Sequence, residues 1–128
     1  MYKVEIINDG NSLFKIISKN YEFTIDTMGK GVSPPDALLA SLGSCVGVYI
    51  RKYLANTEFK DSKFSISVAA EFGSEKPVCF RAIDIGLDLK DIKLDERRKE
   101  AFISFIKNCP IHNTLKNNPS IEIKITPK

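Results

Sequence analysis

Three thiols and one imidazole carry the reactive chemistry of this chain: Cys45, Cys79, Cys109 and His112. Cys45 sits in the middle of "PPDALLASLGSCVGVYIRKYL", Pro34 to Leu54, and Cys109 opens "CPIHNTL". The Cys-Pro step reads as the start of a short helix, where unpaired backbone N–H groups favour a negative charge. A thiol at such a position is expected to ionise more readily, with His112 one turn later adding to the effect. The bland alternative is that Cys109 caps or packs. Three chemistries are open. Cys109 and His112 are spaced as two metal ligands, but zinc wants four, or three plus water; the chain has a single His and no C-x-x-C pair. His112 can act as a base for Cys109 or for Cys45. Alternatively, two cysteines form a redox pair, one oxidised to a sulfenic acid and the other condensing with it. Cys45 and Cys109 lie half a chain length apart, so local pattern alone does not say whether they meet.

The elements that must position these residues are readable. "MYKVEII" and "LFKIIS" flank "NDGN", whose Asp9-Gly10 is a hairpin turn. "YEFTID" alternates as a half-buried strand. Ser33 N-caps the long helix, Pro34 stands at its first position, and Asp36 follows three residues after the cap. Leu38, Leu42, Cys45, Tyr49 and Tyr53 recur at helical spacing and predict an inward stripe. Ala40, Ser41, Gly43, Ser44 and Gly47 crowd around Cys45. Such small residues mean close approach by another element, access to the thiol, or both. "KFSISVAAEF" and "PVCFRAIDIGLDL" read as a hairpin; Cys79, in phase with Ile83 and Ile85, is expected to be a small buried core residue. "LDERRKEAFISFIK" is a second helix capped by Asp95, with Ala101, Phe102, Phe105 and Ile106 inward. "SIEIKI" is expected to be a closing strand. Three strands, a long helix, two strands, two helices and a strand make an α+β fold, expected as one domain over residues 1–128.

The totals exclude several classes. The chain has 128 residues, 43% hydrophobic, with a net charge of +3. The lysines are scattered rather than clustered, so no nucleic-acid surface is expected. No apolar run reaches 18 residues, so no membrane span is expected. The N-terminal "MYKVEIINDG" lacks signal-peptide features. Three sparse cysteines argue against a disulfide scaffold. A cytoplasmic protein without a metal or other cofactor is the expectation.

"SPPDALLASLGSCVGVYI" followed by "CPIHNTL" resembles the OsmC/Ohr family, the osmotically inducible and organic hydroperoxide resistance proteins. The shared pattern is a Pro-acidic-Leu-Leu approach to a helical Gly-x-Cys, then a Cys-Pro that opens a short helix. The element order agrees as well. The resemblance implies an intertwined homodimer, with two antiparallel-rich sheets wrapped around paired central helices. It implies that Cys45 is the peroxidatic thiol and Cys109 the resolving one, acting on organic or small hydroperoxides. A dithiol reductant, such as a lipoyl protein, would restore both thiols. In the family an Arg held by an acidic residue activates the first cysteine. Asp36 stands near the acidic position. This chain has no Arg before Arg51, so Lys30 or Lys19 is expected to bring the cation. The second reading is a dimeric binding or scavenging protein that keeps the fold and thiols without efficient turnover.

Overall fold

The computed structural model describes residues 1–127. They form β1 (Glu5–Asn8), β2 (Leu13–Ile17), β3 (Glu22–Asp26), α1 (Pro34–Leu54), β4 (Ser65–Phe72), β5 (Phe80–Asp88), α2 (Glu96–Ile106) and α3 (Pro110–Lys116). The chain divides into two compact units, one covering Met1–Ser41 and the other beginning at Leu42, with α1 crossing the boundary.

The first unit is an antiparallel meander, ordered β1–β2–β3. Its β1–β2 turn forms as the sequence predicts. Gly10 takes φ 102°, a left-handed conformation that costs glycine little. Its N–H donates to Asn8 Oδ1 at 3.1 Å, while Asn8 Nδ2 donates to the carbonyls of Asn11 and Leu13. Ile16 is buried, but Ile6, Phe14 and Phe23 remain exposed. Ser33 caps α1 as expected: its carbonyl accepts from the Ala37 N–H and its Oγ from the Asp36 N–H, at 2.9 and 3.3 Å.

The second unit holds the principal core. Leu42, Val46, Ile50 and Leu54 of α1 pack with Ile92, with Phe102 and Ile106 of α2, and with Cys109. The buried stripe is therefore set one residue round the helix from the predicted one. Cys45, Tyr49 and Tyr53 flank it half-buried, and Leu38 is exposed. A 3.6-residue period admits both stripes, and only the position of the packing partners chooses between them. Tyr53 meets Phe102 edge-on, with ring centroids 5.2 Å apart. α2 begins as predicted, with Asp95 Oδ1 accepting the Arg98 N–H at 2.8 Å, but Ala101 faces solvent.

β4 and β5 form an antiparallel hairpin. Ile66, Val68, Ile83 and Ile85 turn one face towards the core. A register shift between Ala70 and Phe72 breaks the alternation, so Phe72 is exposed and stacks on Phe80 at 4.3 Å. Cys79 precedes β5 instead of lying on it and is half-buried; the irregular end of the hairpin removes it from the core phase. The expected closing strand is not formed among the described residues: residues 120–125 have no strand partner there, and Ile121, Ile123 and Ile125 are exposed. An alternating sequence supplies only a propensity; a strand also needs a neighbour for its backbone hydrogen bonds.

The glycines of α1 have a specific role. A Cβ on Gly43 would stand 2.9 Å from Val68 Cγ2, and one on Gly47 would stand 3.3 Å from Ile66 Cδ1. They let β4 lie directly against the helix beside Cys45. Gly43→Val is expected to lower unfolding stability by about 2 kcal/mol through overpacking, read as a reduced urea midpoint at unchanged slope. An unchanged midpoint would show that β4 can move away freely.

Candidate active site around Cys45 and Cys109

Cys109 follows α2 by a short turn, in which its N–H donates to Ile106 O at 3.3 Å. It is the N-cap of α3, its Sγ accepting the His112 N–H at 3.4 Å and its carbonyl accepting the Asn113 N–H at 3.0 Å. Pro110 occupies the first helical position, where a missing N–H costs nothing. Cys109 is fully buried.

Cys45 reaches the same place from α1. It is half-buried and packs against the core cluster that contains Cys109, with its side chain in hydrogen-bond reach of the Cys109 thiol. Both thiols are free. The fold thus joins two cysteines from distant segments, one half-buried and one fully buried.

The expected activation of Cys109 is reversed. Burial pushes its pKa above the usual thiol value, and the adjacent Cys45 side chain pushes it further. The backbone N–H groups of His112 and Ile111 act in the opposite sense and do not compensate. A helix start favours a thiolate only while water or other donors share its solvation; at a fully buried sulfur, desolvation wins. Protonated Cys109 is suited to donate to the Cys45 sulfur. A pKa raised in the folded state contributes stability below the unfolded thiol value, 9.0, and loses it as pH rises through the folded value. The denaturation midpoint should therefore fall above about pH 9, less so in Cys109→Ser. At neutral pH iodoacetamide should label Cys45 well before Cys109, as read by peptide mass. Equal labelling rates would contradict the burial argument.

No imidazole–thiol hydrogen bond occurs among the described residues, and His112 Nδ1 is buried without a partner. Such an orphaned atom costs on the order of 1–3 kcal/mol. Among the described residues no group of three or more His, Cys, Asp or Glu is arranged to hold a metal ion.

Lys30 and Asp36 belong to the first unit and both are exposed. The carboxylate beside Lys30 there is Asp26, which the sequence reading missed. Asp26 is buried at the end of β3, and its Oδ1 accepts the Met28 N–H at 2.9 Å. That bond, with help from Ser12, the Lys30 backbone and the Lys30 charge, holds its pKa below the usual carboxylate value despite burial. The available signal was an Asp directly before the loop "TMGKG", where its short side chain can collect loop N–H groups.

A model of the OsmC family, described as OsmC-like protein, matches residues 27–124, which include both thiols. The chain belongs to the OsmC-like family. Solved structures agree on the fold. An OsmC-like protein from Mycoplasma pneumoniae is 23% identical with a TM-score of 0.75, over 92% of this chain and 89% of that one. A putative osmotic stress induced and detoxification response protein from Psychrobacter arcticus 273-4 is 20% identical with a TM-score of 0.76, over 89% and 88%. An OsmC-like hydroperoxide resistance protein from Jannaschia sp. CCS1 is 14% identical with a TM-score of 0.61, over 99% and 94%. No curated protein matches the chain. No helix among the described residues of this OsmC-like chain is long and apolar enough to cross a membrane.

Proposed function

We propose that this OsmC-like protein is a thiol-dependent peroxidase for organic or small hydroperoxides, acting in oxidative stress defence. The observation that carries the reading is the pairing of a half-buried Cys45 with a fully buried Cys109 whose pKa is raised by burial. The Cys45 thiolate attacks the outer peroxide oxygen, the O–O bond breaks, and the alkoxide leaves to be protonated as an alcohol. Cys45 is then a sulfenic acid. The Cys109 sulfur attacks the Cys45 sulfur, the S–O bond breaks, and the hydroxyl leaves as water with the Cys109 proton. An external dithiol reduces the resulting disulfide and is itself oxidised.

Lys30 is the cation proposed to assist Cys45, with Asp36 as the acidic partner near it in sequence. A cation stabilises the thiolate and the charge on the departing oxygen. Lys30→Met is expected to slow Cys45 oxidation by about tenfold, equivalent to about 1.4 kcal/mol in the barrier. Unchanged rates would assign that role to another residue.

The working form is proposed as a cytoplasmic homodimer in which residues 1–128 act as one domain. Supporting this, Ile6, Phe14 and Phe23 of the first sheet and Ile121, Ile123 and Ile125 near the C-terminus all remain uncovered in one chain. Light scattering should give the mass of two chains; a stable monomer on dilution would refute the arrangement.

The test of activity is hydroperoxide consumption with a dithiol present in excess. Many turnovers per chain support the peroxidase. One equivalent consumed and no more would establish the second reading, a scavenging or binding protein.

A further inference from the structure

Beside the thiol pair, within the second unit, residues of α1, β5 and α3 line an open cavity of about 500 Å³, with Arg81, Leu115 and Lys116 at its exposed rim. Its apolar surface includes Leu42, Ile83 and Leu115, and its polar surface comes from Arg81, His112 and Lys116. None of its lining side chains is acidic. Leu42 lies one helical turn before Cys45, and His112 one turn after Cys109, yet neither thiol lines the space.

Arg81 is held in place without being neutralised. Its Nη2 donates to the carbonyl oxygens of Pro77, at 3.0 Å, and Glu75, at 3.5 Å. Its stem lies over Gly73, where a Cβ would make ordinary van der Waals contact with Arg81 Cγ and Nε at 3.4 and 3.5 Å. Its remaining N–H donors have no acceptor, and neither Arg81 nor Lys116 is in an ion pair, among the described residues. With Nη2 engaged, the Nε–H and Nη1–H groups remain as charged donors for an anionic oxygen. His112 also lines the space, and its buried Nδ1 has no hydrogen-bond partner among the described residues. Apolar walls, two cationic side chains and this volume are compatible with a small-molecule site.

We propose that this cavity binds a small organic anion: one carboxylate or phosphate monoester on a short apolar stem. The anionic head meets Arg81 and Lys116, and the stem lies along Leu42, Ile83 and Leu115. The site requires no reaction at either cysteine, so it stands or falls separately from the peroxidase reading.

Isothermal titration of the reduced full-length protein with sodium octanoate, octyl phosphate, 1-octanol and octylammonium tests the proposal without any peroxide. Saturable binding of at least one anion, one per chain, with octanol at least tenfold weaker and octylammonium not bound, is the expected result. Whichever anion binds more tightly identifies the head group. Arg81→Gln should weaken that anion tenfold or more, and Lys116→Gln severalfold. Arg81→Lys should recover only part of the loss, because lysine supplies a point charge on a flexible stem without the guanidinium's anchoring to the Pro77 and Glu75 carbonyls. Cys45→Ser should bind as the parent does. Circular dichroism checks that each variant is folded. Octanol binding as tightly as the anions, no saturable anion binding, or an Arg81→Gln/Lys116→Gln double variant that is folded and binds unchanged would each overturn the proposal.

Discussion

Cys45→Ser should reduce dithiol-supported peroxide consumption by at least about a thousandfold, equivalent to about 4 kcal/mol of transition-state stabilisation. A serine hydroxyl is a far weaker nucleophile than a thiolate and forms no sulfenic acid. Cys109→Ser should separate the two halves of the cycle. Its accessible Cys45 is untouched, so the first equivalent of peroxide should still be consumed, but Cys45 should remain a sulfenic acid that a sulfenic-acid trap detects. Turnover should stop there unless the external dithiol resolves it directly. Cys79 lies ahead of β5 and outside the core cluster, so Cys79→Ala serves as the thiol control. If Cys45→Ser kept its turnover while Cys109→Ser lost the first equivalent, the roles of the two cysteines would be exchanged. The burial of Cys109 argues against that outcome: a sealed sulfur with a raised pKa is a poor first point of attack.

Phe102→Ala should be the most destabilising of the single changes considered. Phe102 is 1% exposed and its ring fits edge-on against Tyr53. Truncation removes a large buried side chain and leaves a cavity, for about 3–5 kcal/mol. For a chain of this length, that is a fall in melting temperature of roughly 10–20 °C. The effect should reach the site, because α2 leads directly into the turn that holds Cys109. Where Phe102→Ala still folds, Cys109 should become easier to alkylate while Cys45 changes little. A stability loss below about 1 kcal/mol would mean that Tyr53 and Phe105 collapse into the space.

The N-terminal hairpin, the capped start of α1, the helical character of residues 96–106 and the Cys-Pro start of α3 are all legible in the sequence. Each depends on groups within a few residues: Asn8 and Gly10 in a turn, Ser33 and Asp95 at caps, Pro110 at a first helical position. The two motifs around Cys45 and Cys109 also identify the family. What local pattern could not decide were the properties set by distant neighbours. Which face of α1 is buried depended on where β4 and α2 pack, so the stripe centred on Val46 and Ile50 rather than on Cys45. The glycines beside Cys45 proved to be points of contact with Val68 and Ile66. The alternating isoleucines after Ser120 formed no strand, because β-structure requires a partner that sequence alternation cannot provide. Cys109 is the sharpest case. Its place at a helix start is written in the sequence and argues for a thiolate. Its complete burial beside Cys45 is written only in the tertiary structure, and there the cost of desolvating a charge exceeds what two backbone N–H groups return.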